Sequence, residues 1–254
     1  MRVLFEDNHL IAVHKPAGLL VHRTDIASGQ ADEFALQLVR DLTGKYVYPL
    51  HRLDRPTSGI LLFAFDEDSA RALSQDFTEH RIQKSYQALV RGWLLEESTL
   101  DYSLKKLTFD RRSRKKRQKE PKPTVTVDVE RQEAVTHIRP LAAYELPIAV
   151  GRYRTARYSL VELSPKTGRT HQLRRHMSHL RHPIIGDSRY GDGAHNRMFL
   201  DQFGIKRLFL TALKLSFTHP ATQKPINIET TIDVEIDEII KKLIPQTDAD
   251  VLNG

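Results

Sequence analysis

His51-Arg52-Leu53-Asp54-Arg55-Pro56-Thr57-Ser58-Gly59 leads directly into the apolar run Ile60-Leu61-Leu62-Phe63-Ala64-Phe65. Proline, serine and glycine mark a turn, and the β-branched and aromatic residues that follow mark a strand. An aspartate in such a turn would by itself be read as a cap or turn residue. Similar short runs recur on both sides: Val3–Phe5, Leu10–His14, Tyr86–Val90, Thr124–Glu130, Tyr158–Leu163, Leu208–Phe217 and Ile226–Thr231. Helical spacing appears between them. Phe34, Leu38 and Leu42 repeat every four residues, and Ala70, Leu73 and Phe77 form a stripe after Asp66 or Asp68, either of which could cap it. A third helix is expected from Thr170, after the Pro165–Gly168 turn, toward Arg181. Several strands follow one another with no helix between, which disfavours a strict parallel βαβ arrangement. The fold class is therefore α+β, a mixed and mostly antiparallel sheet flanked by helices.

With 254 residues, 40% of them hydrophobic, the chain can bury a substantial core. It has no cysteine, which excludes disulfides, thiolate nucleophiles and sulfur-ligated metal centres. The longest apolar run is far shorter than the roughly 20 residues of a membrane span, and Glu6 and Asp7 interrupt any signal-peptide core. These features point to a cytoplasmic protein without a membrane partner. The net charge of +7 is concentrated in residues 105–122, which hold ten Lys/Arg against two acids, so the rest of the chain sums to −1. Leu163 to Gly186 is a second basic region, with five Lys/Arg, four histidines and no acid. Both suit a polyanionic partner. Residues 105–123, ending in Pro121 and Pro123, read as a loop or hinge between two subdomains that share the sheet. Together the halves form one domain, 1–245, and the tail 246–254 is expected to fray.

Seven positions of the opening motif match the H-R-L-D-x-x-T-S-G signature of the RluA-type pseudouridine synthases, which this sequence closely resembles. At about one in twenty per position, chance would give roughly one such match in a billion windows. Further blocks occur in the family's order: Lys15-Pro16-Ala17-Gly18 with Val21-His22, Lys84-Ser85-Tyr86, Lys166-Thr167-Gly168-Arg169-Thr170-His171-Gln172-Leu173-Arg174, and His182-Pro183-Ile184-Ile185-Gly186-Asp187. Within the family, HRLDRPTSG and GRYRTARYSLVELSPKTGRTHQLRRH are most similar to members that act on tRNA uridine 65. Many relatives carry an N-terminal S4 RNA-binding domain. This sequence begins with the synthase blocks, so no S4 domain is expected and substrate docking falls to the catalytic domain.

The resemblance implies the pseudouridine synthase fold and an isomerase without cofactor or metal. It breaks the N1–C1′ bond of uridine, turns the detached uracil and joins C5 to C1′. Uracil leaves as a stabilised anion and no water is consumed, so one carboxylate can serve where a glycosidase needs two. The resemblance gives that role to Asp54, either attacking C1′ or taking a sugar proton to form a glycal. It pairs Asp54 with Arg174, stacks Tyr86 on the uracil with a possible part in removing the C5 proton, and places Ile184 or Ile185 in the pocket floor. Arg52 is expected to fill the space left by the extruded base. Lys166, Arg169, Arg111, Arg112 and Lys115 are expected to hold RNA phosphates. Taken alone, Tyr86 would read as a core tyrosine and Arg174 as a solvated helix arginine. The histidines His171, His176, His179 and His182 raise a metal reading, but no carboxylate lies among them. The expected partner is tRNA, with ribosomal RNA as the alternative target and a non-catalytic RNA-binding module as the alternative role.

Overall fold

The computed structural model describes residues 1–22, 33–107 and 130–247. Its strands are β1 (Arg2–Glu6), β2 (Leu10–Lys15), β3 (Tyr48–Pro49), β4 (Ser58–Ala64), β5 (Gln83–Arg91), β6 (Ser98–Asp101), β7 (Leu104–Lys105), β8 (Arg131–Gln132), β9 (Val135–Leu146), β10 (Ala156–Pro165), β11 (Leu210–Thr218), β12 (Pro225–Glu229) and β13 (Ile244–Gln246). The helices are α1 (Ala35–Thr43), α2 (Glu67–Thr78), α3 (Gln172–His179), α4 (Gly193–Phe203) and α5 (Val234–Ile240). The main sheet runs β1-β2-β4-β11-β5-β10-β9-β13, with β3, β6 and β12 pairing alongside β4, β9 and β11. Among the described residues its pairings are antiparallel except for β4 with β11. The fold is α+β, as the runs of consecutive strands without an intervening helix imply.

Every residue of β4 is buried because both faces of the sheet are covered there. On one face Leu10, Ala12, Ile60, Leu62 and Ala64 pack with Leu73 of α2. On the other, Ile11, Val13, Leu61 and Phe63 pack with Ala35 and Val39 of α1. The two faces follow directly from the period-two alternation along β2 and β4. A third cluster joins β5, β9 and β10 to α3, α4 and α5.

Asp66 is the cap of α2, its carboxylate accepting from the Ser69 amide at 2.8 Å. Helix α1 is rotated from the Phe34/Leu38/Leu42 stripe: Ala35 and Val39 are its buried residues and Leu42 is exposed. The longest strand, β9, lacks a sequence signal because Pro140 and two alanines interrupt its pattern. Pro140 falls at a bulge, between the stretch paired by β6 and the stretch paired by β13, where a strand can accept proline. Gln246 still pairs with Ala143, and residues 248–254 lie outside the described residues, as do most of the 105–123 loop and the expected strand at Thr124–Glu130.

The parallel contact explains the last letter of the opening motif. Gly59 has φ +110°, and a Cβ there would lie 2.2 Å from the Ala212 carbonyl oxygen. Only glycine lets β4 approach β11 this closely. Gly59→Ala should therefore combine backbone strain with overpacking and cost about 3 kcal/mol. Calorimetry should show a melting temperature lower by roughly 10 °C.

Candidate active site

Each residue of the opening motif has a physical task. His51 stacks on Phe77 and its Nε2 accepts from the Leu62 amide at 3.1 Å. Burial, helped by the nearby Lys84 charge, pulls the His51 imidazole down to about 3, so it is a neutral acceptor. Leu53 is buried in the α1-side cluster. The chain then turns, the Thr57 amide donating to the Asp54 carbonyl at 3.0 Å. Ser58 is fully buried and donates to Asp233, which also accepts from Arg207 at 2.6 Å and lies 3.0 Å from His14 Nε2.

A second loop clamps this turn. The Gly18 amide donates to the Arg55 carbonyl, and Arg55 Nε donates back to the Gly18 carbonyl, both at 2.8 Å. The fully buried Lys15 amine donates to the carbonyls of Pro16, Leu19 and Arg55 at 3.0, 2.9 and 3.3 Å. Burial pulls this amine down to about 7, with the Asp54 charge opposing. The Lys-Pro-Ala-Gly block thus fixes the loop that carries Asp54.

Asp54 is brought against α3. Its Oδ2 accepts from Arg174 Nη1 at 3.2 Å, and its Oδ1 lies 3.9 Å from His171 Nε2. Arg174 is itself held from behind. Its Nε and Nη2 donate in parallel to the two oxygens of Asp187, at 2.7 and 2.9 Å, and its guanidinium lies 5.3 Å from the Tyr190 ring centre. The Asp187 side chain is wholly buried and also accepts from the amides of Arg189 and Tyr190. Burial alone would raise its pKa, but the Arg174 hydrogen bonds and the Tyr190 amide outweigh it, leaving Asp187 below its ordinary value. Gly186 makes the approach possible: its φ is +77°, and a Cβ there would strike the Arg207 carbonyl. Asp187, although inside a quoted block, had no sequence-based role, because nothing in the sequence marks an acid as the partner of an arginine thirteen residues away.

The Lys166–Arg174 block forms the opposite wall. Gln172 Oε1 accepts from Thr167 Oγ1 at 2.7 Å and the Arg169 amide at 3.0 Å, and Gln172 Nε2 donates to Thr136 Oγ1. His171 enters α3 with a left-handed backbone, φ 55°, and its Nδ1 is 3.0 Å from the Tyr190 hydroxyl. The resulting pocket is lined by Arg52, Asp54, Lys84, Tyr86, Arg169 and Arg174, among others, with Leu53, Leu173 and Leu210 as apolar wall. Arg52 is exposed at this pocket, and Arg169 Nε donates to the Glu133 carbonyl. Lys166 is exposed in the neighbouring groove with Lys84 and Lys214. Ile184 and Ile185 are buried in the core and neither lines the pocket. Their place as floor is taken by the three leucines. Arg111, Arg112 and Lys115 lie outside the described residues.

Among the described residues, no group of three or more His, Asp or Glu is placed to hold a metal. The four histidines are engaged elsewhere: His171 at Tyr190, His176 at Thr136 and the Tyr102 carbonyl, His179 stacked on the Tyr102 ring, and His182 at the Arg91 carbonyl. No helix among the described residues is long and apolar enough to cross a membrane.

The Arg174–Asp187 pair is buried, so removing one charge leaves the other without its principal partner. Asp187→Asn should cost about 3 kcal/mol at neutral pH. Because the Asp187 pKa is lowered on folding, its contribution is complete above the unfolded value near 3.8 and is lost as pH falls through the folded value. Unfolding curves of the two proteins should therefore begin to approach each other below about pH 4 and meet only once the pH is below the folded value.

The family model described as RNA pseudouridylate synthase matches residues 9–179. A Vibrio cholerae protein named tRNA pseudouridine synthase C is 48% identical over 233 residues, covering 92% of this chain and 91% of that one. A Haemophilus ducreyi protein of the same name is 48% identical over 231 residues, covering 91% and 90%. In fold, the chain is similar to human RNA Pseudouridylate Synthase Domain Containing 1, with a TM-score of 0.69 at 23% identity, covering 99% of this chain and 93% of that chain. With the family model matching over half of the chain and relatives near half identity over nine-tenths of it, the chain belongs to the RNA pseudouridylate synthase family of isomerases.

Proposed function

We propose that this protein isomerises uridine to pseudouridine in tRNA, at position 65, with Asp54 as the group that acts on the sugar. The observation that carries this reading is the Asp54–Arg174 contact at 3.2 Å inside a pocket shared with Tyr86. The tRNA substrate is supported by relatives near half identity over nine-tenths of the chain. Arg174 supplies a permanent positive charge against the carboxylate, and its Asp187 anchor fixes its direction. With the target uridine extruded into the pocket, Asp54 either attacks C1′, expelling the uracil anion from N1, or takes the sugar's 2′ proton to give a glycal. The uracil then turns; in the first route C5 displaces Asp54 from C1′, in the second C5 adds to C1′ of the glycal as Asp54 returns the proton to C2′, and in both C5 finally loses its proton and N1 gains one. Atoms and electrons balance without a cofactor.

Burial, with the Asp54 charge adding to it, pushes the Tyr86 hydroxyl well above its ordinary range. A phenol held neutral in this way is suited to stacking on uracil, not to accepting the C5 proton. Arg52, exposed where the pocket opens, fits the task of occupying the gap in the RNA stack. Arg169 and Lys166 lie where the flanking phosphates would pass, and the basic run around Arg111, Arg112 and Lys115 supplies further charge for RNA.

Incubating the protein with tRNA tritiated at uridine C5 should release tritium to water, and carbodiimide mapping should give one new stop, at position 65. Asp54→Ala should reduce release by at least a thousandfold. Release from ribosomal RNA fragments but not from tRNA would overturn the substrate assignment. Tyr86→Phe should keep most of the rate because the ring remains, whereas Tyr86→Ala should lose roughly a hundredfold or more. Equal loss in both variants would return the proton-transfer role to the hydroxyl.

A further inference from the structure

The other end of α3 approaches a second basic surface that the isomerisation does not use. Arg152 to Arg157 holds three arginines in six residues with no acid, in a chain that sums to −1 outside residues 105–122. Arg152 and Arg154 lie in the connection between β9 and β10, and Arg157 is the second residue of β10. Val150 and Tyr153 exchange backbone hydrogen bonds at 3.1 and 3.3 Å across Gly151 and Arg152, so the tip is a closed turn. Arg152, Tyr153 and Arg154 are all exposed, Tyr153 to 61%.

Two arginines here are neutralised and two are not. Arg91 pairs with Asp192, and Arg157 lies 3.5 Å from Glu145. Among the described residues no carboxylate pairs with Arg152 or Arg154. The guanidiniums are also ordered by aromatic rings. Arg157 lies 4.0 Å from the Trp93 ring centre, and the Trp93 indole donates to the Tyr144 carbonyl. Arg152 lies 5.0 Å from the Tyr153 ring centre and donates to its hydroxyl at 2.8 Å. Stacking uses the flat face of a guanidinium and leaves N–H edges for phosphate oxygens. Arg91, Arg152, Arg154 and Arg157 line one groove of about 710 Å³ with Asp192 and His195.

The groove is tied to the pocket by two rigid elements. Arg174 of α3 sits on Asp54, and Arg181, just past the helix, accepts at its carbonyl from Arg91. On β5, Tyr86 lines the pocket and Arg91 lines the groove, five residues or roughly 17 Å apart along the strand. We propose that the β9–β10 turn, with Arg152 and Arg154 at its centre, is a second RNA contact that grips the phosphate backbone of the substrate away from the target uridine. The inference rests on the tRNA reading above. It gives the enzyme a two-point grip, one point at the extruded base and one several nucleotides along the backbone. Such a contact selects RNA by length and shape, because phosphates carry no sequence information.

The test compares wild type with Arg152→Ser/Arg154→Ser and Arg152→Lys/Arg154→Lys, binding an unmodified tRNA transcript over a range of salt. The serine variant should bind about tenfold more weakly, and the slope of log affinity against log salt should shrink by about two. The lysine variant should keep most of both, since phosphate contact needs charge. A short RNA holding only the target uridine and its immediate neighbours should bind wild type and serine variant alike. Unchanged affinity and slope for tRNA, or equal loss on the short RNA, would overturn the proposal. If wild type released no tritium from tRNA but still bound it through these arginines, the proposed reaction would fall and this surface would stand. Release by wild type with identical tRNA binding by both proteins would strike the surface alone.

Discussion

A single guanidinium shared by two carboxylates holds the centre of this molecule. Arg174 is clamped by Asp187 through two parallel hydrogen bonds, and with its remaining nitrogen it reaches Asp54. The unequal sharing matters. Asp187, fully buried and fed by two further amides, is the structural anion. Asp54, with its carboxylate partly open to the pocket and a single guanidinium nitrogen on it, is the more accessible of the two, as the proposed reaction requires. A flexible ammonium could satisfy one acid or the other, but it has no fork with which to brace against one while presenting itself to the second.

Around that cation, three loops from distant parts of the sequence converge. The loop before β4 brings Asp54, the turn before α3 brings His171 and leads into Arg174 on the helix, and the loop after α3 brings Asp187 and Tyr190. Each is pinned by hydrogen bonds outside the proposed chemistry: Lys15 on the first, Gln172 on the second, the Gly186 amide on Asn196 Oδ1 on the third. The family blocks are thus largely instructions for holding loops still. Only a minority of their letters face the pocket.

Asp54, Arg174, Tyr86 and Arg52 were legible because the motifs name them, and the structure places them around one pocket. Strands β2, β4, β5 and β10 were legible through period-two alternation or a continuous apolar run. Strand β9 was not, because proline and alanine carry no strand signal and its register is fixed by β10. The stripe chosen for α1 selected the larger residues, whereas close packing on Leu61 and Phe63 favours the small Ala35 and Val39. Asp187 and Lys15 were missed for a related reason. Their value lies in contacts across the fold, with Arg174 and with the backbone at Arg55, which one-dimensional spacing does not show.

The position of β11 has a consequence for how the enzyme comes into being. This strand, residues 210–218, is inserted between β4 and β5, so the segments carrying Asp54 and Tyr86 have no lateral pairing with each other until it arrives. On a ribosome, the residues before 210 emerge with the β4 and β5 edges that flank β11 bare. The pocket is therefore closed by a strand made after every motif residue. A product ending before β11 would hold every motif residue and still lack a finished pocket, which makes the arrival of this strand a built-in condition for activity.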